Sequence, residues 1–138
     1  MAQAQKQVRI IEPLERFVNR INLVGCYARV SSDSEDQLNS YNNQVDFYES
    51  FVNSLENSKL VKIYTDEGIT GTRMDKRDGF LQMIEDCRKG LINTIITKSI
   101  SRFARNITET LSVVRELKSI GVSVYFMTEK INTAKMGS

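Results

Sequence analysis

Residues Leu23–Ser34 read LVGCYARVSSDS, and the fold turns on them. The apolar run Leu23-Val24-Gly25-Cys26-Tyr27 predicts a buried strand, which leads into Arg29-Val30-Ser31-Ser32. Strand residues alternate faces, so Arg29 and Ser31 fall on the same side while the strand continues. A hydroxyl beside a guanidinium at the exit of a buried strand suits chemistry on a phosphate. The competing reading makes Arg29 a surface charge and Ser31 a helix cap.

Outward from this stretch the chain alternates. Met1–Ile21 reads as an N-terminal extension, with a short helix opened by Glu12-Pro13. Asn22–Val30 is the first strand. Ser34 is placed to cap a helix in which Leu38, Tyr41, Val45, Tyr48, Val52 and Leu55 recur at threes and fours. Ser58–Thr65 alternates and is rich in β-formers, giving a second strand. Asp66–Asp78 carries no apolar period and reads as a functional loop. A short helix follows, capped by Asp78 and ended by Gly90, with Phe80, Met83, Ile84 and Cys87 inward. Leu91–Thr97 is a third strand, and Lys98–Asn106 is polar and basic. Ile107–Ile120 is a helix with Leu111, Val114, Leu117 and Ile120 on one face. Val122–Met127 is a fourth strand, and no element is evident after Glu129.

This order predicts an α/β fold, a mainly parallel sheet with helices on both faces. Ligands of such sheets gather beyond the carboxyl ends of the strands. There the sequence puts Arg29 and Ser31 after strand one and Asp66 after strand two. After strand three come Lys98, Ser99, Ser101, Arg102 and Arg105. Three arginines drawn from distant segments repel one another unless an anion neutralises them. Arg102 and Arg105 are three apart and share a face if helical. Guanidinium forks match phosphate oxygens.

Composition narrows the chemistry. A chain of 138 residues suits one core, and its net charge of +2 is weak evidence for nucleic acid. It has no histidine, so Ser-His-Asp and Cys-His catalysis in their usual form are excluded. Cys26 and Cys87 sit in apolar segments without metal spacing and read as reduced core residues of a cytoplasmic protein. No run is long and apolar enough for a bilayer, and no signal-peptide core opens the chain. There is no Walker loop, no G-x-G-x-x-G and no acidic cluster with metal spacing, so no metal and no cofactor is expected. What remains is phosphoryl transfer in which Ser31 attacks phosphorus and arginines stabilise the developing charge. Without histidine, the base for Ser31 has no obvious candidate.

Tyr27-Ala28-Arg29-Val30-Ser31 resembles the opening motif of the serine recombinases, the resolvase/invertase family. Five more segments are similar to that family's landmarks and follow in its order. They are Ser40-Tyr41-Asn42-Asn43-Gln44, Tyr64–Gly71, Arg77-Asp78-Gly79-Phe80, Ser101–Asn106, and Ile131-Asn132-Thr133 with Met136-Gly137. The wording is most like the large serine recombinases of phages and conjugative transposons. The resemblance covers residues 22–138 and implies a catalytic domain. Its fold would be a resolvase-like three-layer sandwich around a mainly parallel sheet of about four or five strands.

The resemblance also implies roles. Ser31 would be the nucleophile that cuts double-stranded DNA and holds its 5′ phosphate, with Arg29, Arg102 and Arg105 on the scissile phosphate. Gln44, Asp66, Thr70 and Arg77 would support the site or the substrate. Ser32 is a competing hydroxyl, and Tyr27 packs beneath the site. Family members often carry aspartate where this chain has Ser101, which leaves the acid for the 3′ leaving oxygen unnamed. They work as dimers that pair into tetramers. A long dimer-forming helix and DNA-binding domains follow in the family, so a chain ending at Ser138 is expected to be a catalytic core with little recombination activity alone. Two rivals use the same residues: a catalytically silent assembly or binding module, and a metal-free phosphotransferase acting on small esters.

Overall fold

The computed structural model describes the backbone of residues 21–31, 34–68, 77–104 and 106–135, and their side chains except at 31–40. The expected helix within 12–21 therefore lies outside the described residues, as do Ser32, Thr70, Arg105 and Met136-Gly137. The elements are β1 (Asn22–Ser31), α1 (Ser34–Asn53), β2 (Ser58–Gly68), α2 (Asp78–Arg88), β3 (Thr94–Thr97), α3 (Ile100–Phe103), α4 (Ile107–Ser119), β4 (Ser123–Phe126) and β5 (Ile131–Asn132), followed by a 3-10 turn over Thr133–Lys135. The sheet order is β2-β1-β3-β4-β5. The first four strands are parallel and β5 is antiparallel to β4.

β1 is an interior strand, between β2 and β3, and is apolar on both faces. Val24, Cys26 and Ala28 pack with Ile96 of β3 under Tyr48 and Val52 of α1. Tyr27, on the opposite face, joins Phe80 and Met83 of α2, Phe103 of α3 and Val114 and Leu117 of α4. The result is the expected three layers: α1, the sheet, then α2, α3 and α4. A run of edge-to-face aromatic pairs crosses the second core. Ring centroids lie 5.4 Å apart for Tyr27–Phe80, 5.1 Å for Phe80–Phe103 and 5.4 Å for Phe103–Phe126. Cys26 and Cys87 are buried and free, and burial pushes both thiols up to about 12.

The structure corrects several boundaries and faces. β2 runs on to Gly68, so Asp66 and Glu67 are strand residues, not loop. Parallel pairing along the whole ten-residue β1, from Asn22↔Ser58 to Ser31↔Gly68 with one register shift between Val24 and Gly25, carries it there. β3 is shorter than expected because the Asn93 side chain ends the ladder by accepting from the Leu23 amide at 3.0 Å. Tyr41 is exposed although it lies on α1, which at 20 residues is about 30 Å long at 1.5 Å each, and Leu55 is exposed because α1 ends at Asn53, two residues before it. On α4 the buried stripe is Thr110, Val114 and Leu117, leaving Leu111 on its flank and Ile120 past the last turn, both exposed. The segment after Glu129 does form structure. β5 completes the sheet, and the Thr133 hydroxyl accepts from the Val124 amide at 2.8 Å.

Two tyrosines that are partners across β1 and β2 hold α2 at both ends. Tyr27 and Tyr64 stand opposite each other in the register. Tyr27 Oη donates to Asp66 Oδ2 at 2.7 Å, beside the start of α2. Tyr64 Oη donates to Asp86 Oδ2 at 2.6 Å, near its end. The Tyr64 bond, with Gln82 Nε2 donating at 2.9 Å, holds the Asp86 carboxyl below its ordinary range. Gly79 fits only because it lacks a side chain: a Cβ there would lie 2.3 Å from the Thr65 carbonyl oxygen. Gly90, with φ +79°, has open space instead.

Gly79→Ala should therefore destabilise by about 1–3 kcal/mol from overpacking, and more than Gly90→Ala, about 1 kcal/mol. Urea midpoints of the two variants check the order. Because the folded Asp86 carboxyl titrates below its unfolded counterpart, its contribution is present above about pH 4 and is lost as pH falls through the lowered value. Asp86→Asn should flatten that acid limb in denaturation midpoints recorded as a function of pH.

Candidate active site

At the carboxyl end of the sheet a cleft of about 800 Å³ opens between α1 and the exits of β1, β3 and β4. Arg29 and Ala28 come from β1, with Tyr27 at the floor. Asn43, Gln44, Phe47 and Tyr48 come from α1. Lys98 follows β3, Arg102 rides on α3, and Met127 and Thr128 follow β4. The floor is tied by the Tyr27 carbonyl, which accepts from Tyr48 Oη at 3.1 Å and from Thr97 Oγ1 at 3.2 Å. Burial raises the Tyr48 phenol well above its ordinary range, so it stays a hydroxyl that can donate.

Of the residues singled out from the sequence, Arg29, Gln44, Lys98 and Arg102 meet in this cleft, with Tyr27 also lining it. The backbone of Ser31 closes β1 two residues past Arg29, paired with Gly68; its side chain is outside the described residues. Ser101 is exposed, with its Oγ 3.1 Å from Ser99 Oγ, and is not among the cleft-lining residues.

Asp66 and Arg77 are also not on the cleft wall. The buried Asp66 carboxylate accepts three bonds: from Tyr27 Oη, from the Gly79 amide at 2.7 Å and from the Phe80 amide at 2.9 Å. Asp78 had been the expected cap, but it is the first helical residue, and Arg77 at the cap position makes no side-chain capping bond. Asp66 supplies the capping acceptors from the end of β2, with its charge at the positive end of the helix. Arg77 donates from Nη1 to Glu109 Oε1 at 2.8 Å and from Nη2 to the Phe103 carbonyl, while its guanidinium lies 3.9 Å from the Phe80 ring centroid. It braces α2, α3 and α4 together.

Sequence reasoning passed over Phe47 and Glu129. Phe47 follows Gln44 by three on a helix, so the signal for its place in the cleft was present. Glu129 Oε1 accepts from the Ile100 amide at 3.2 Å and so caps α3, the turn carrying Arg102. Nothing local in the sequence marks that bond, since its partners are far apart along the chain.

The family model for the resolvase N-terminal domain matches residues 24–138. The chain belongs to the resolvase family of serine recombinases. Among curated proteins, this resolvase-family chain is 31% identical over 118 residues to the transposon Tn552 resolvase of Staphylococcus aureus, covering 81% of the chain and 49% of the relative. The Tn552 DNA-invertase BinR of the same organism is also 31% identical, over 81% and 50%. The chain thus spans about half the length of the curated relatives it matches. Among solved structures it is similar to a resolvase family site-specific recombinase from Streptococcus pneumoniae, with TM-score 0.69, 26% identity, and coverage of 83% and 78%. It shares the fold of the N-terminal catalytic domain of TP901-1 integrase, with TM-score 0.62, 20% identity and 83% coverage of each chain. No described helix is long and apolar enough to cross a membrane.

Replacing Asp66 by Asn turns one acceptor into a donor that faces another donor. Asp66→Asn should cost about 1–3 kcal/mol, and Tyr27→Phe, which leaves both amide bonds intact, should cost less. Chemical denaturation of the two variants checks this.

Proposed function

We propose that this chain is the catalytic domain of a site-specific DNA recombinase in which Ser31 is the nucleophile. Its Oγ attacks a backbone phosphorus, the P–O3′ bond breaks, and the strand's 5′ phosphate stays on Ser31 as a phosphodiester. The serine proton leaves to a base and the 3′ oxygen gains a proton, leaving a free 3′ hydroxyl. Attack by a 3′ hydroxyl on that phosphoserine reverses the step and joins strands. Arg29, Arg102 and Arg105 hold the phosphoryl oxygens and offset charge as the new bond forms. Gln44, Thr70 and Ser101 serve the substrate, and Asp66 and Arg77 support the site by fixing the elements beneath it.

The observation that carries this reading is that Arg29 and Arg102, from segments far apart in sequence, line one cleft at the strand end that Ser31 closes. Double-stranded DNA is the proposed substrate, in the cytoplasm of a bacterium, with self-association into dimers and tetramers. Since the chain spans about half of its curated relatives, recombination by these residues alone should be slight.

The test incubates the chain at low salt with nicked duplexes that trap cleavage, then maps nucleotide adducts by mass spectrometry. An adduct on Ser31 that persists in Ser32→Ala and vanishes in Ser31→Ala is expected. An adduct on Ser32 instead would overturn the assignment of the nucleophile.

A further inference from the structure

We propose that the Phe47 wall of the cleft is a stacking site for a single unpaired nucleobase, next to the phosphate held by Arg29 and Arg102. This rests on the reading that the cleft takes DNA, and it adds what part of the DNA lies there besides phosphate. Phe47 is 54% exposed although it is a large aromatic on an amphipathic helix. Its orientation is set from below. Phe47 and Phe51 lie 6.2 Å apart with planes 8° from parallel, and Phe51 and Tyr125 lie 6.2 Å apart at 3°. Tyr48 meets the Phe47 ring edge-on at 5.9 Å. Phe51 stands beside Phe47 with its plane nearly parallel, and Phe47 keeps more than half of its surface exposed at the cleft. A base laid on that open surface would continue the shared ring orientation.

Several features make a nucleobase the fitting occupant. The same cleft carries Arg29, Lys98 and Arg102, whose charge draws a phosphodiester backbone. An aromatic platform beside a cationic groove is how single strands are held without regard to sequence, because every base has a π-face. A platform whose plane is fixed beforehand also loses little freedom on binding. The cleft's volume of about 800 Å³ is well beyond what one phosphate needs. Asn43, on the wall where Phe47 stands, carries a side-chain amide with a donor and an acceptor suited to a base edge. A base inside an intact duplex cannot reach Phe47, so the occupant is a base already unstacked, as at a nick or a cut end.

The chain has no tryptophan, so Phe47→Trp introduces a sole indole reporter. This variant, Phe47→Ala and Phe47→Leu are titrated at low salt with a thymidine oligomer and with an abasic oligomer of equal length. Quenching of the indole by the thymidine oligomer but not by the abasic one is expected. Phe47→Ala and Phe47→Leu should each weaken thymidine-oligomer binding about tenfold, with abasic binding unchanged. If both oligomers bind every variant equally and the indole is unquenched, the stacking site is overturned while the DNA reading stands. If neither oligomer binds but nicked duplexes still give the Ser31 adduct, the stacking site is overturned and the DNA reading stands; if neither binds and no adduct forms on any residue, the DNA reading fails and takes this site with it. If the indole shifts to the blue with protein concentration alone, a second copy of the chain covers Phe47, and the proposal is overturned.

Discussion

One buried carboxylate holds the working end of this domain together. Asp66 lies at the end of β2, 7% exposed, and satisfies a hydroxyl from β1 and two amides from the first turn of α2. Such a group is costly to bury unpaired and stabilising once its acceptors are filled. Its three donors come from two elements, so losing it would loosen the seam between β1, β2 and α2 together. Everything the cleft needs from β1 depends on that seam staying closed. Tyr27, the hydroxyl donor, also gives its carbonyl to Tyr48 and Thr97 and so reaches α1 and β3.

Asp66 also shows why much of the fold was legible in the sequence and part of the site was not. Periodic apolar residues announce an element by repetition, so β1, α1, β2, α2 and α4 could be read from Val24, Tyr48, Met83 and Leu117 and their neighbours. A two-residue strand such as β5 has no period to read. Its place depends on pairing with β4 and on the Thr133 hydroxyl. The same holds for capping. Asp78 has the right residue type at a helix start, yet a carboxylate 12 positions earlier takes the amides. Local sequence cannot weigh an acceptor delivered from another strand.

The cleft sorts its charges by what surrounds them. Arg29, Lys98 and Arg102 border the open volume, whereas Arg77 is turned to Glu109, the Phe103 carbonyl and the Phe80 ring. Arginines that look alike in sequence are thus placed differently: Arg29 and Arg102 border the cleft, and Arg77 lies off it as a brace between α2, α3 and α4. The described residues also show no cluster of three or more cysteine, aspartate or glutamate side chains converging to hold a metal.

Arg102 sits on one turn of helix between residues in extended conformation, Ser99 at φ −156° and Ala104 at φ −144°. One such turn lacks the run of successive hydrogen bonds that stiffens longer helices. Its position is inherited from its two anchors: Phe103, locked among core rings, and the Ile100 amide on Glu129. The guanidinium therefore behaves like a pawl pivoted on the core and set by the hairpin between β4 and β5. Arg29, on a long strand held against β2 at that point, is the fixed tooth opposite. Changes in the turn between β4 and β5 can retune the spacing of the two cations while β1 stays as it is.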